Sequence, residues 1–326
     1  MSIKNNLTTL GLAILVVFLA VLPLFVNETF YVHVMIMTLL YGFLAAAWNI
    51  LGGFAGYVSF GHAIFFGMGA YTVAVLGKNF AVNPWLGFIT SALIGIGVAS
   101  IIAFPSFQAG LKGHYFAIAT WSVAEVVRVL FMNWMYVGGA TGIMIPLTDP
   151  NLINFQYQTA KVPYYYIILT MLILETSFIY LLNKSKVGFY FRAINSNEKA
   201  AESIGVDTTY YKHLAYYMSA ALVAMGGAFF AQYQLYFDPP MVFEVGISMK
   251  MILPAILGGI GTISGPLIGA AIMIPLEEFL RAYLGGAGGG INFIIFGILI
   301  VIVVVFRPKG LQKFITSLFK KRGRKK

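Results

Sequence analysis

Few side chains in this sequence are equipped for chemistry. Cysteine is absent, which excludes disulfides and thiolate metal sites. His33, His62, His114 and His213 show neither HExxH nor another ligand spacing, so no metal site is expected. There is no GxxxxGK[ST] loop to hold a nucleotide, and no nucleophile–base pair that would make the chain an enzyme. What remains is charge set inside apolar sequence. Glu125 and Arg128 stand at i, i+3, Glu277 and Arg281 at i, i+4, and Glu175 and Lys250 have no local partner. A charge at the centre of a bilayer costs roughly 2.5–3.5 kcal/mol on insertion scales, so each needs a partner or a wet cavity. Two uses are open for Glu125 and Arg128: a salt bridge that orients their helix, or the lining of a path for a zwitterion. Lys250 is placed to reach Glu175 or Glu244, and Glu277 with Arg281 reads as rim structure.

Two further polar groups stand out. Ser59 and His62 lie among Gly52, Gly53, Gly56, Gly61, Gly67 and Gly69. Such glycines serve close helix packing or local unwinding. Ser59, Gly61 and His62 are candidates to line a path; the plainer role is that of hydrogen-bonded core residues. The other group is RAINSNEKAAESIG, residues 192–205, soluble in character between two apolar runs. Asn195 or Ser196 is placed to cap a helix, Asn195 and Glu198 have capping-box spacing, and Gly205 is suited to a left-handed end. About nine helical residues fall below the ~12–15 that hold in water, so this helix must dock on something. Ala200, Ala201 and Ile204 offer a small apolar face beside Glu198 and Glu202. A groove on a partner and the flank of its own bundle fit that face equally.

The elements that position these residues follow from composition. The chain is 60% hydrophobic and 10% charged, with a mean hydropathy of +0.85. That is too little polar surface for a soluble core of this size. We expect an all-α, polytopic transmembrane bundle of eight to ten spans, near 7–26, 33–51, 56–77, 85–104, 115–135, 163–182, 213–235, 247–261, 266–284 and 291–306. The first run is longer than a signal-peptide core and lacks a small-x-small site, so it reads as a retained span. The net charge of +10 does not indicate nucleic acid, because the basic residues fall at span ends and in the tail LFKKRGRKK. Such clusters face the cytoplasm and anionic lipid. With both termini inside, cytoplasmic segments hold Lys4, Lys112, Lys184, Lys186, Arg192, Lys199, Lys212 and the nine basic residues from Arg307 on; outer segments hold Lys78 and Lys161. Both termini and the 183–212 loop are therefore assigned to the cytoplasm.

Four stretches carry a family resemblance. They are Gly53-x-Ala55-Gly56-x-x-Ser59-x-Gly61-His62-Ala63; Tyr115-Phe116-Ala117-Ile118-x-Thr120 with Glu125-x-x-Arg128 and Gly138-Gly139-x-x-Gly142-Ile143; Arg192-Ala-Ile-x-x-Asn197-Glu198-x-Ala200-Ala201-Glu202-x-x-Gly205; and Gly258-Gly259-Ile260-Gly261-Thr262-x-x-Gly265-Pro266-x-x-Gly269-Ala270. In this order, over roughly Tyr41–Arg307, they resemble the permease subunits of branched-chain amino acid ABC importers, closest to the LivM-type half. The resemblance implies that Arg192, Asn197, Glu198, Ala200, Ala201, Glu202 and Gly205 form a coupling helix seated on a separate ATPase. It implies a second related permease, two P-loop ATPases that bind ATP and Mg, an extracytoplasmic binding protein, and transport by alternating access. This chain itself would bind no cofactor. Ser59, Gly61, His62, Glu125, Arg128 and Lys250 are the candidate substrate-path residues.

The resemblance further implies a single permease domain over 1–326, with a coupling loop at 183–212 and a basic cytoplasmic tail at 307–326, in the inner membrane of a prokaryote. His114 and Lys250 stand where the family often has acidic residues, and Gly188-Phe189-Tyr190-Phe191 replaces a more basic stretch. These departures bear on substrate more than on fold, so urea, amides, nucleosides and sugars remain alternative cargoes. A stand-alone ion-coupled carrier, using the intramembrane glutamates, is the alternative from another class.

Overall fold

The computed structural model describes residues 17–26, 28–157, 160–284, 297–298 and 311–312. Half of the expected first span (7–26) and nearly all of the tenth (291–306) lie outside these residues, as does most of the basic tail. The other eight expected spans are all helices. They are α1 (Thr29–Asn49), α2 (His62–Phe80), α3 (Pro84–Gln108), α4 (Gly113–Asn133), α5 (Val162–Lys184), α8 (Thr208–Gln234), α10 (Val245–Gly258) and α11 (Gly265–Leu284). Shorter helices intervene: α6 (Lys186–Ser196), α7 (Glu198–Ser203) and α9 (Pro239–Phe243). The one two-stranded sheet among the described residues pairs β1 (Ile143–Met144) with β2 (Tyr236–Phe237), Ile143 opposite Phe237. Seven spans among the described residues are long and apolar enough to cross a membrane, counting α9 and α10 as one. In α11, Glu277, Glu278 and Arg281 interrupt the apolar run.

Segment boundaries follow local chemistry. Asn83 caps α3, its Oδ1 accepting from the Trp85 amide at 2.9 Å, and Pro84 opens the helix where a missing N–H costs nothing. Asp207 and Asp238 cap α8 and α9 in the same way. The centre belongs to α1, whose apolar window is 89% buried, with α11, α5, α10 and α8 packed against it. A helix apolar on all sides has to be enclosed by others. The α2–α8 crossing depends on small residues: a Cβ added at Gly69 would overlap the Ala224 carbonyl, and one at Gly227 the Phe66 carbonyl. The glycines thus bring the backbones together without any hydrophobic driving force between helices.

The connections gather at two ends. At the far end, Trp85 Nε1 donates to the Leu152 carbonyl at 2.9 Å and Tyr236 Oη to Thr141 at 3.0 Å. Tyr165 and Tyr166 donate to the carbonyls of Leu19 and Ala20 at 2.7 and 3.0 Å, so they tie the N-terminal segment to α5. At the loop end, 55–61, 109–112, 185–207 and 259–264 meet.

Candidate functional site

The loop end is built around a break between the first two spans. α1 runs into a π-helical turn, Ile50–Phe54, and the chain is then irregular through Gly61 while largely buried. Irregular backbone at such depth survives only where protein satisfies its polar groups. Trp48 Nε1 donates to the Ser59 carbonyl at 2.9 Å, the Phe60 amide to Thr120 Oγ1 at 3.2 Å, and the Ala63 amide to Ser248 Oγ at 2.9 Å. Asn49 donates to the Thr262 carbonyl at 2.8 Å and accepts from the Gly261 amide at 2.9 Å. Asn195 Nδ2 donates to the Gly53 carbonyl at 2.9 Å. There is no room for a Cβ at Gly53, which would overlap Asn49 Oδ1. Part of each of the four stretches that carry the family resemblance, dispersed over more than two hundred residues, thus meets in one junction, whereas Gly138–Ile143 of the second lies at the far end.

The 192–205 segment differs in detail from the single helix expected. α6 ends at Ser196, Asn197 is extended (φ −161°), and its Oδ1 caps α7 by accepting from the Ala200 amide at 3.1 Å. Asn195 is not the cap: it lies inside α6, and its Nδ2 donates to the Gly53 carbonyl. Gly205, at φ +86°, ends α7 in the left-handed region. The expected apolar face is divided: Ala201 is buried against the bundle, whereas Ala200 and Ile204 are exposed, Ile204 to 74%. Glu202 Oε1 accepts from Thr208 Oγ1 at 2.6 Å, and the exposed Arg192 donates to the Asn183 carbonyl at 3.0 Å.

Glu198 is the anchor of this loop. Its carboxylate accepts from Tyr57 Oη at 3.0 Å and pairs with Lys112 Nζ at 2.6 Å and Lys212 Nζ at 2.7 Å. Lys212, with a side chain only 6% exposed, would be a stranded cation without it. Burial pushes the Glu198 carboxyl up, but the hydrogen bonds from Lys112 and Lys212, the Lys212 charge and the Tyr57 hydroxyl outweigh this and hold it at about 2. Tyr57, Lys112 and Lys212 were not expected as site residues. A lysine immediately before a predicted span was the available signal for Lys112.

The six candidate path residues fall into three places. Ser59, Gly61 and His62 are buried within the junction; His62 Nε2 lies 2.8 Å from Ser219 Oγ, among Trp48, Phe65 and Tyr216. Glu125 and Arg128 form the expected salt bridge, with Arg128 Nε 3.0 and 3.1 Å from the two carboxylate oxygens. They open onto a groove of about 730 Å³ between α4 and the start of α10, where Glu244 joins them. Lys250 is elsewhere. It reaches neither Glu175 nor Glu244 but Glu277 Oε1, at 2.5 Å, in a cluster with Arg281 and Glu278. Both Glu175 oxygens are buried and have no hydrogen-bond partner among the described residues.

Comparison with known proteins bears on this arrangement directly. The profile of the family described as "Branched-chain amino acid transport system / permease component" matches residues 30–304. The chain belongs to this family. It is 24% identical over 302 residues to the high-affinity branched-chain amino acid transport system permease protein LivM of Salmonella typhimurium, covering 86% of this chain and 69% of that one. The LivM of Escherichia coli gives the same figures. LivH of Salmonella typhimurium is 25% identical over 286 residues, 83% of this chain and 90% of that one. No solved structure matches. Membership of the branched-chain amino acid permease family accords with a multi-pass helical bundle whose function is transport.

Proposed function

We propose that the chain is the membrane-spanning permease subunit of an ATP-driven importer for branched-chain or related amino acids. It works beside a second related permease, two P-loop ATPases that carry ATP and Mg, and an extracytoplasmic binding protein. The loop end faces the cytoplasm, with both termini, in the inner membrane of a prokaryote. Nucleotide-driven movement of the ATPases shifts the permease pair between inward and outward facings. The groove at Glu125, Arg128 and Glu244 is the substrate path: a carboxylate and a guanidinium there complement the two charges of an amino acid.

The observation that carries this reading is the division of α7. Its buried side is bonded to the bundle through Glu198 and Ala201, while Lys199, Ala200 and Ile204 are left facing outward at the end of the molecule. Absence of native cysteine makes the test direct. Ile204→Cys, in membranes containing the assembled transporter, is treated with a thiol-directed cross-linker. A P-loop ATPase as the captured protein is the expected product. An accessible cysteine that captures no ATPase would overturn the reading.

The stand-alone carrier draws support from one feature, the unpartnered buried carboxyl of Glu175. It predicts substrate uptake by this chain alone, driven by an ion gradient.

A further inference from the structure

We propose that Glu198 is a positioning residue that carries movement of the coupling loop into α4, with Lys112 as the link. The inference rests on the reading of α7 as the ATPase-facing helix and says which span that helix moves.

The partners of Glu198 divide into a fixed side and a movable side. Lys212 stands at the start of α8, one of the central helices, and its ammonium lies 2.7 Å from Glu198 Oε1. Tyr57 belongs to the buried junction. These two hold α7 to the core. Lys112 differs from both. It is the residue immediately before α4, its backbone is extended, and its side chain is 53% exposed. Glycines flank it at 110 and 113, both at positive φ and both with open space around them. The covalent link from α3 therefore does little to fix where α4 begins.

α4 is also the span with the least support. Only 28% of its apolar window is buried, the lowest share of the seven. Near its start, besides the Lys112 contact, it is held by the Thr120 hydroxyl that accepts from the Phe60 amide and by the buried Phe116, which packs against Tyr57, Phe107 and Tyr216. Glu125 and Arg128 lie on the same helix about 20 Å further along, at 1.5 Å per residue. A helix transmits displacement as a rigid rod, so a shift of α7 that pulls on Lys112 moves the charged pair in the groove.

The test uses the complete transporter with its ATPases in proteoliposomes, measuring import and ATP hydrolysis together. Lys112→Met removes only the α4 arm and leaves Glu198 bonded to Lys212 and Tyr57, so the loop stays folded. Import should fall about tenfold while hydrolysis stays within about twofold, the size of an ordinary coupling term. Lys112→Arg, which keeps the charge and a donor, should restore import. Import equal to wild type in Lys112→Met would overturn the inference. So would import and hydrolysis falling in parallel, which is what a merely structural pair predicts. Failure of the parent reading is distinguishable, because wild-type protein would then show no ATP-dependent import at all.

Discussion

Each end of the bundle has a carboxylate shared between two cations, and the two arrangements hold very different things. At the loop end, Glu198 joins Lys112 and Lys212, and the Tyr57 hydroxyl besides. At the far end, Glu277 joins Lys250 at 2.5 Å and Arg281 at 3.2 Å, with Glu278 3.5 Å from the same guanidinium. The far-end charges link two helices that already have other reasons to pack. α10 and α11 are joined by the glycine turn at Gly258–Gly265, and at Gly258 and Gly269 the backbones are too close to admit a Cβ. The loop-end charges secure a six-residue helix, far too short to persist alone, whose one buried apolar contact is Ala201. An ion pair matters most where packing is thinnest. The loop-end cluster holds a helix, α7, that has almost no packing of its own.

The largest expected effect therefore comes from Glu198→Ala. It strands Lys212 in the bundle and frees α7. A partly exposed network falls between surface and buried pairs, which puts the cost at about 2 kcal/mol of local stability. Trypsin cleavage at Arg192 and Lys199 in sealed inside-out vesicles should then accelerate on the order of thirtyfold, because the cut requires the loop to open. A cleavage rate unchanged from wild type would show that α7 is held by something other than its polar contacts. Pairing the change with Lys212→Met should not restore protection, since no apolar interface replaces the lost anchor.

Most of this was legible in the sequence at the level of elements and much less at the level of partners. The eight spans among the described residues are present within a few residues of where apolar run length places them, because a bilayer fixes that length whatever the packing. The Gly205 stop and the Glu125–Arg128 pair were legible too, both depending on neighbours within one turn. The cap at Asn197 was not, because Asn195, an equally good cap by local rules, lies inside α6 with its Nδ2 on the carbonyl of Gly53, 142 positions earlier. Lys250 was legible as a charge needing a partner, but its partner was misread. Glu277 looked satisfied by Arg281 nearby, and nothing local in sequence says that one carboxylate accepts two cations. The hub at Glu198 joins residues 57, 112, 198 and 212, and no periodicity connects those numbers.

The far-end cluster should give a smaller effect, and one that packing can reverse. Lys250→Met leaves Glu277 bonded to Arg281 and should cost about 1 kcal/mol, a fall of roughly 2–4 °C in the melting temperature of the detergent-solubilised protein. Adding Glu277→Met should recover most of that loss, because two apolar side chains in a packed interface can equal a buried ion pair. The contrast with Glu198 and Lys212, where the double change is not expected to recover, is the sharpest form of the comparison. Recovery at both ends, or at neither, would remove it.

The smallest expected effect is with pH. A carboxyl held at about 2 in the folded protein, against about 4.3 when unfolded, contributes stability that is fully present above the unfolded value and is lost as pH falls through 2. Glu198 therefore stays charged between pH 5 and 8. Over that range the trypsin sensitivity of the loop should not change beyond the enzyme's own pH dependence, calibrated on an unstructured substrate. Loosening of the loop between pH 6 and 5 would have to come from another group, because neither the bonded nor the freed Glu198 carboxyl takes up much proton in that range. The tie that holds the loop would then include a titrating group outside the Glu198 cluster.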